Sequence, residues 1–123
     1  MTMLQIGKLT DIGQRREQNE DSLYAFDSFI QTNDGLESFG LFIVADGTGG
    51  HVGGEIASAI TVRTIASHML EHIYIPYFKT AQRPDLGMLV GQMTEAVLLA
   101  NTQVVGTVEK AGSTLTMAAI MGQ

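Results

Sequence analysis

Two apolar segments of similar length, Ser22 to Ile30 and Leu36 to Ala45, flank Gln31-Thr32-Asn33-Asp34-Gly35. That arrangement leaves the chain few options. Leu23, Tyr24, Phe26, Phe29 and Ile30 are residues that favour extended structure. The second segment ends in the unbroken run Leu41-Phe42-Ile43-Val44-Ala45. Between them, Asn, Asp and Gly are the residues that most readily accept a positive φ, so they turn the chain. Two strands joined by so short a turn form an antiparallel hairpin.

The rest of the chain is arranged around this hairpin. Thr2 to Ile12 alternates weakly and is expected to be a first strand. Asp46 to Gly54 holds five glycines in nine residues, which predicts a loop with close backbone approaches or unusual dihedrals. From Glu55, apolar residues recur at helical spacing (Ile56, Ala59, Ile60, then Leu70 and Ile73). Glu55 suits the first turn, where the helix dipole favours an acid. This helix is expected to fade near Tyr74-Ile75-Pro76, because proline disfavours helix in the residue before it. Arg83-Pro84-Asp85 predicts the start of a second helix, with Leu86, Leu89, Val90, Met93, Val97, Ala100 and Val104 on one face. Gly106 and Gly112 bracket its exit, and Ser113 to Met121 reads as a final strand.

Size and charge narrow the function classes. A chain of 123 residues suits one domain, and 45% hydrophobic with 16% charged residues is a globular balance. A net charge of −6 argues against nucleic acid or an anionic membrane face as a partner, since each calls for a basic patch. The absence of cysteine excludes disulfides and thiolate zinc sites. The start has neither a charged leader nor an apolar stretch, and no apolar run is long enough to span a bilayer. A soluble, cytoplasmic protein is the expectation.

Acidic residues gather where the hairpin opens. With the turn centred on Asn33, Glu20 falls opposite Asp46 and Asp21 opposite Ala45, with facing Cβ atoms about 5 Å apart. Carboxylates converging there repel one another unless a cation or protons intervene. Together with a backbone carbonyl at Asp46-Gly47 they are hard oxygen donors, suited to Mg²⁺ or Mn²⁺. Arg16 lies four residues before Glu20, and its planar fork matches a phosphate dianion. Metal, bound water and guanidinium are the parts required to hydrolyse a phosphate ester.

At these residues the sequence resembles the metal-dependent (type 2C, PPM) Ser/Thr protein phosphatases, bacterial members most closely. The resemblance is carried by Thr10-Asp11-Ile12-Gly13, Arg16 and Asn19-Glu20-Asp21-Ser22, then by Phe42 to His51 and Gly54-Glu55-Ile56-Ala57-Ser58. Gly112-Ser113-Thr114-Leu115-Thr116 continues it. It implies an α+β fold, a partial α-β-β-α sandwich of antiparallel sheets with flanking helices, in which residues 1–123 are the N-terminal part of a phosphatase domain. It also implies two Mn²⁺ or Mg²⁺ ions, one bridged by Asp46 to a second held by Glu20 and the Gly47 carbonyl. Arg16 would bind the substrate phosphate and Asp21 would orient metal waters. A hydroxide bridging the metals would attack phosphorus in a phosphoprotein substrate, in a signalling role.

Two departures qualify these expectations. Thr48 stands where some relatives carry a histidine thought to protonate the leaving group; His51 is a neighbouring substitute, although a solvent-facing loop histidine is the favoured reading of it. Asp85 is the one aspartate after Asp46, so the acids that complete the first metal site are missing. Little or no activity is expected of this chain alone, with one metal supportable. A non-catalytic, phosphatase-like module that self-associates through exposed sheet edges is the alternative. His68, Glu71 and His72 also match the His-x-x-Glu-His pattern of some zinc peptidases, a remote alternative for which Glu95 and Glu109 are the available third ligands.

Overall fold

The computed structural model describes residues 5–11, 13, 19–49 and 52–122. Strands β1 (Asp21–Thr32) and β2 (Gly35–Thr48) form the expected hairpin. Only Asn33 and Asp34 lie outside the ladder; the Asp34 N–H donates to Thr32 Oγ1 at 3.2 Å, and the positive φ, +126°, falls on Gly35. A two-residue connection sets the register one position away from the expected one. Thr32 faces Gly35, so Asp21 faces Asp46 and Ser22 faces Ala45. Because side chains alternate with period two, a shift of one residue changes which acids share a face.

The alternation of β2 decides where the core lies. Phe39, Leu41, Ile43 and Ala45 are fully buried, whereas Val44 between them is 54% exposed. The buried face is covered by α1 (Gly53–Met69), a π-helical turn (Leu70–Tyr74) and α2 (Ile75–Thr80). Val62, Ile65, Met69, Ile73 and Tyr74 supply the helical half of that core. The Tyr74 hydroxyl donates to the Gly40 carbonyl and its ring meets Phe26 edge to face, centroids 5.7 Å apart. Helix therefore continues through Pro76, where the sequence led us to expect it to fade. The Ile75 N–H reaches back to the Leu70 carbonyl, so the bond register has already changed when the chain arrives at a residue with no N–H.

Helix α3 (Leu86–Thr107) is capped by Asp85, whose Oδ1 accepts from the Met88 N–H at 2.7 Å. It packs along α1 on a narrower stripe than the apolar pattern suggested. Ala96, Ala100 and Val104 are buried and Leu89 and Met93 partly so, whereas Leu86, Val90 and Val97 are exposed. Small side chains at the contact bring the two helices together and leave the rest of the apolar band outside it.

The expected final strand is split. β3 (Gly112–Ser113) pairs with Thr48 and Gly47, and β4 (Thr116–Met121) pairs with β2 from Val44 to Phe39. β2 is thus the central strand of one antiparallel sheet, with helices on one face: an α+β architecture carrying one sheet and one helical side of the expected sandwich. Of the proposed first strand, residues 5–11 are not in a strand, and the remainder lies outside the described residues. Among the described residues no helix is long and apolar enough to cross a membrane.

Burial pushes the Tyr74 phenol up from 10.0 to about 12. Between those values the folded chain keeps a proton that the unfolded chain has released. The stabilisation is therefore complete below pH 10 and is lost as pH rises toward 12. Thermal melts across this range should show a steadily falling Tm. Tyr74→Phe should start from a lower Tm and show a shallower fall; equal slopes in the two proteins would refute this assignment.

Candidate metal centre

The open end of the hairpin is built by a close backbone crossing. The Gly47 N–H donates to the Glu20 carbonyl at 3.1 Å, which extends the pairing of the two strands beyond Asp21. A Cβ on Gly47 would lie 1.9 Å from the Gly54 carbonyl oxygen, and one on Gly54 would lie 2.3 Å from Glu20 Oε2. Gly47 is thus required by backbone contact, and a side chain at Gly54 would have to displace the Glu20 carboxylate, with the first turn of α1 resting on β2. Gly49 has a φ of +152° and approaches the Ala111 side chain. The close approaches and the unusual dihedral are both present, but the segment is less of a loop than its composition predicted: β2 runs through Thr48 and α1 already begins at Gly53.

This crossing sorts the acids. Asp21 and Asp46 face one another across the ladder and are both exposed, on the face that Val44 shares. The Glu20 carboxylate is half-buried and lies against Gly54, at the N-terminal end of α1. The expected partner of Asp46 was Glu20; the structure pairs Asp46 with Asp21, because the turn is one residue shorter than a turn centred on Asn33. Asn19 prepares the entry into β1: its Oδ1 accepts from the Asp21 N–H at 3.0 Å and its amide donates to Thr10 Oγ1 at 2.9 Å. Thr10, Asp11, Asp21, Ser22, Leu23 and Val44 line a cleft of about 220 Å³ beside these carboxylates.

Two contacts at this end were not legible in the sequence. Ser58 is fully buried in α1, its hydroxyl donates to the Glu55 carbonyl, and it lies 2.8 Å from the Ser22 hydroxyl next to Asp21. Thr114 holds the backbone of Asp46 from the other side: the Asp46 N–H donates to Thr114 Oγ1 at 3.0 Å, and the Thr114 N–H donates to the Asp46 carbonyl at 2.9 Å. Arg16 and His51 lie outside the described residues. Thr48 is exposed and pairs with Gly112.

Among the described residues, no three acidic or histidine side chains converge into a closed metal cage. The donor chemistry nonetheless suits Mg²⁺ or Mn²⁺, since Mg²⁺ usually keeps several waters and takes one or two carboxylates. The donors in question are Asp46, Asp21, Glu20 and the Gly47 carbonyl, with Asp21 and Asp46 on one face of the hairpin and the Glu20 carboxylate against Gly54. The zinc pattern fares worse. His68 is buried with Nε2 at 2.7 Å from Gln92 Oε1, His72 Nδ1 donates to the His68 carbonyl at 3.0 Å, and the rings stack 4.1 Å apart. The His68–Gln92 contact ties α1 to α3, and Glu71 does not join the two histidines in a ligand group.

Comparison with known proteins gives a consistent result. No family model matches the chain. Over 59 residues, 48% of the chain, it is 44% identical to a protein phosphatase 2C-type protein of Streptococcus pyogenes serotype M6, of which this covers 21%. Its fold matches the S. agalactiae serine/threonine phosphatase with a TM-score of 0.60 at 30% identity, over 93% of this chain and 43% of that one. It also matches the Mycobacterium tuberculosis serine/threonine phosphatase PstP/Ppp with a TM-score of 0.56 at 29% identity, over 88% and 38%. In sequence and in fold, the chain resembles part of a bacterial type 2C serine/threonine phosphatase. It spans less than half the length of these solved relatives and about a fifth of the curated one.

The crossing predicts an order of severity. Gly47→Ala drives a methyl into backbone and should cost on the order of 3 kcal/mol or more. Gly54→Ala meets mainly the end of the Glu20 side chain, which can swing aside, and should cost less. Chemical denaturation of both variants tests this, and a Gly47→Ala protein as stable as Gly54→Ala would refute the contact.

Proposed function

We propose that residues 1–123 are the N-terminal part of a divalent-metal-dependent protein serine/threonine phosphatase. The observation that carries this reading is the facing of Asp21 and Asp46 beside the Gly47–Gly54 crossing, in a chain whose relatives are phosphatases of this type. Asp46, Glu20 and the Gly47 carbonyl are the proposed ligands of Mn²⁺ or Mg²⁺, with Asp21 orienting metal-bound water. Arg16 is the proposed phosphate-binding group and a phosphoprotein the proposed substrate. The bound cations would supply an activated water and a counter-charge for the phosphate oxygens. The chain's own residues bring the carboxylates to one end of the hairpin and hold the loop around them. A cytoplasmic signalling role, with neither nucleic acid nor membrane as partner, accords with the net charge of −6.

The chain alone is proposed to bind metal more readily than it turns over substrate, because the described residues supply too few carboxylates for a closed two-metal centre. A second reading, a non-catalytic module that self-associates, is favoured by a different observation. β1 and β4 each pair on one side only among the described residues, and Val44 and Phe29, on the sheet face away from the helices, are exposed. Unpaired strand edges beside an apolar face promote association.

Mn²⁺ binding followed by electron paramagnetic resonance should weaken at least about tenfold in Asp46→Asn. Manganese-dependent hydrolysis of p-nitrophenyl phosphate by the parent chain should be at background. Turnover that disappears in Asp46→Ala would overturn the inactivity, and Mn²⁺ affinity unchanged in Asp46→Asn would overturn the metal site.

A further inference from the structure

We propose that Thr114 is a positioning residue for Asp46, its hydroxyl standing in for a main-chain acceptor and so setting the pose of the residue that bears the carboxylate. This rests on the metal-site reading above. The supporting geometry is a local exchange of hydrogen-bond partners.

Gly47 faces Ser113 and Val44 faces Thr116, so the register of β3 and β4 on β2 is continuous and Asp46 faces Thr114. In a regular antiparallel ladder, a hydrogen-bonded pair exchanges two N–H···O=C bonds. Half of that exchange is present, the Thr114 N–H donating to the Asp46 carbonyl at 2.9 Å. In the other half, the Asp46 N–H goes to the Thr114 side chain, Oγ1 at 3.0 Å. The Thr114 carbonyl accepts instead from the Ser113 hydroxyl at 2.8 Å. The Thr114 hydroxyl also reaches toward the Asp46 carbonyl at 3.4 Å. This one hydroxyl therefore spans both backbone groups of Asp46, and the regular strand is interrupted there, between β3 and β4.

The exchange has a chemical consequence. Where a main-chain carbonyl accepts, the pairing is independent of the side chain; here it depends on a hydroxyl that a single substitution removes. Outer groups that orient a metal ligand affect metal affinity by about 10–100-fold when lost. A residue that only stitched two strands together would affect the melting temperature and leave metal affinity alone.

The test is Mn²⁺ titration, read by electron paramagnetic resonance, of the parent chain, Thr114→Val, Thr114→Ala, Thr114→Ser and Asp46→Asn, with thermal melts of each. Thr114→Val and Thr114→Ala should each weaken Mn²⁺ binding by about tenfold, while Thr114→Ser, which keeps the hydroxyl, should restore affinity close to that of the parent. If valine disturbs the fold, the smaller alanine variant decides. Parent-like Mn²⁺ affinity in a folded Thr114→Ala or Thr114→Val, with Asp46→Asn impaired, would overturn the positioning role and leave the metal site standing. Parent-like affinity in Asp46→Asn would overturn both.

Discussion

The first turn of α1 rests on β2 at a distance that a side chain at Gly47 would not permit. With Gly47 and Gly54 in contact through their backbones, the helix starts directly above the strand, and its length then determines what it covers. Val62, Ile65 and Met69 join Ala45, Ile43, Leu41 and Phe39 in one core, and the π-helical turn carries it on to Ile73 and Tyr74. A side chain at Gly47 would have to displace the Gly54 backbone at the start of this interface. The same crossing sets the candidate site, because the carbonyl of Glu20 and the N–H of Gly47 are joined there and the Glu20 carboxylate lies against Gly54.

That constraint also explains how acids are tolerated at close quarters in a chain of net charge −6. Asp21 and Asp46 face each other in a β-ladder, where like charges are destabilising, yet both are exposed and solvated. Glu20 is directed to the other side, toward the N-terminal end of a helix, where a negative charge is favourable. The arrangement spreads the repulsion across two faces while keeping the oxygens near one strand end.

Much of the fold was legible locally. The hairpin follows from two β-rich runs around Asn33 and Asp34, both long helices from apolar spacing, and the start of α3 from Arg83-Pro84-Asp85. The close approaches of the glycine-rich loop were legible as a requirement, though not the groups approached. The register was not legible: turns of two and three residues differ by one position, and local sequence around Asn33-Asp34-Gly35 accommodates either. The buried stripe of α3 was only half legible, because the apolar band is wider than α1 can cover. Helix through Pro76 was missed because the π-helical turn that accommodates it depends on packing against the sheet.

By itself the sequence determined that acids stand at positions 20, 21 and 46 near the end of a hairpin, that glycines surround them, and the order in which the elements follow. Periodicity encodes local conformation, so these survive without knowledge of partners. The tertiary structure decided which acid faces which, because a shift of one residue changes the face of every side chain in a strand without altering any local preference. It also decided that Thr114 would complete the hydrogen bonding of Asp46. That contact joins residues 68 positions apart, and no pattern near either one distinguishes a hydroxyl acceptor from the carbonyl it replaces.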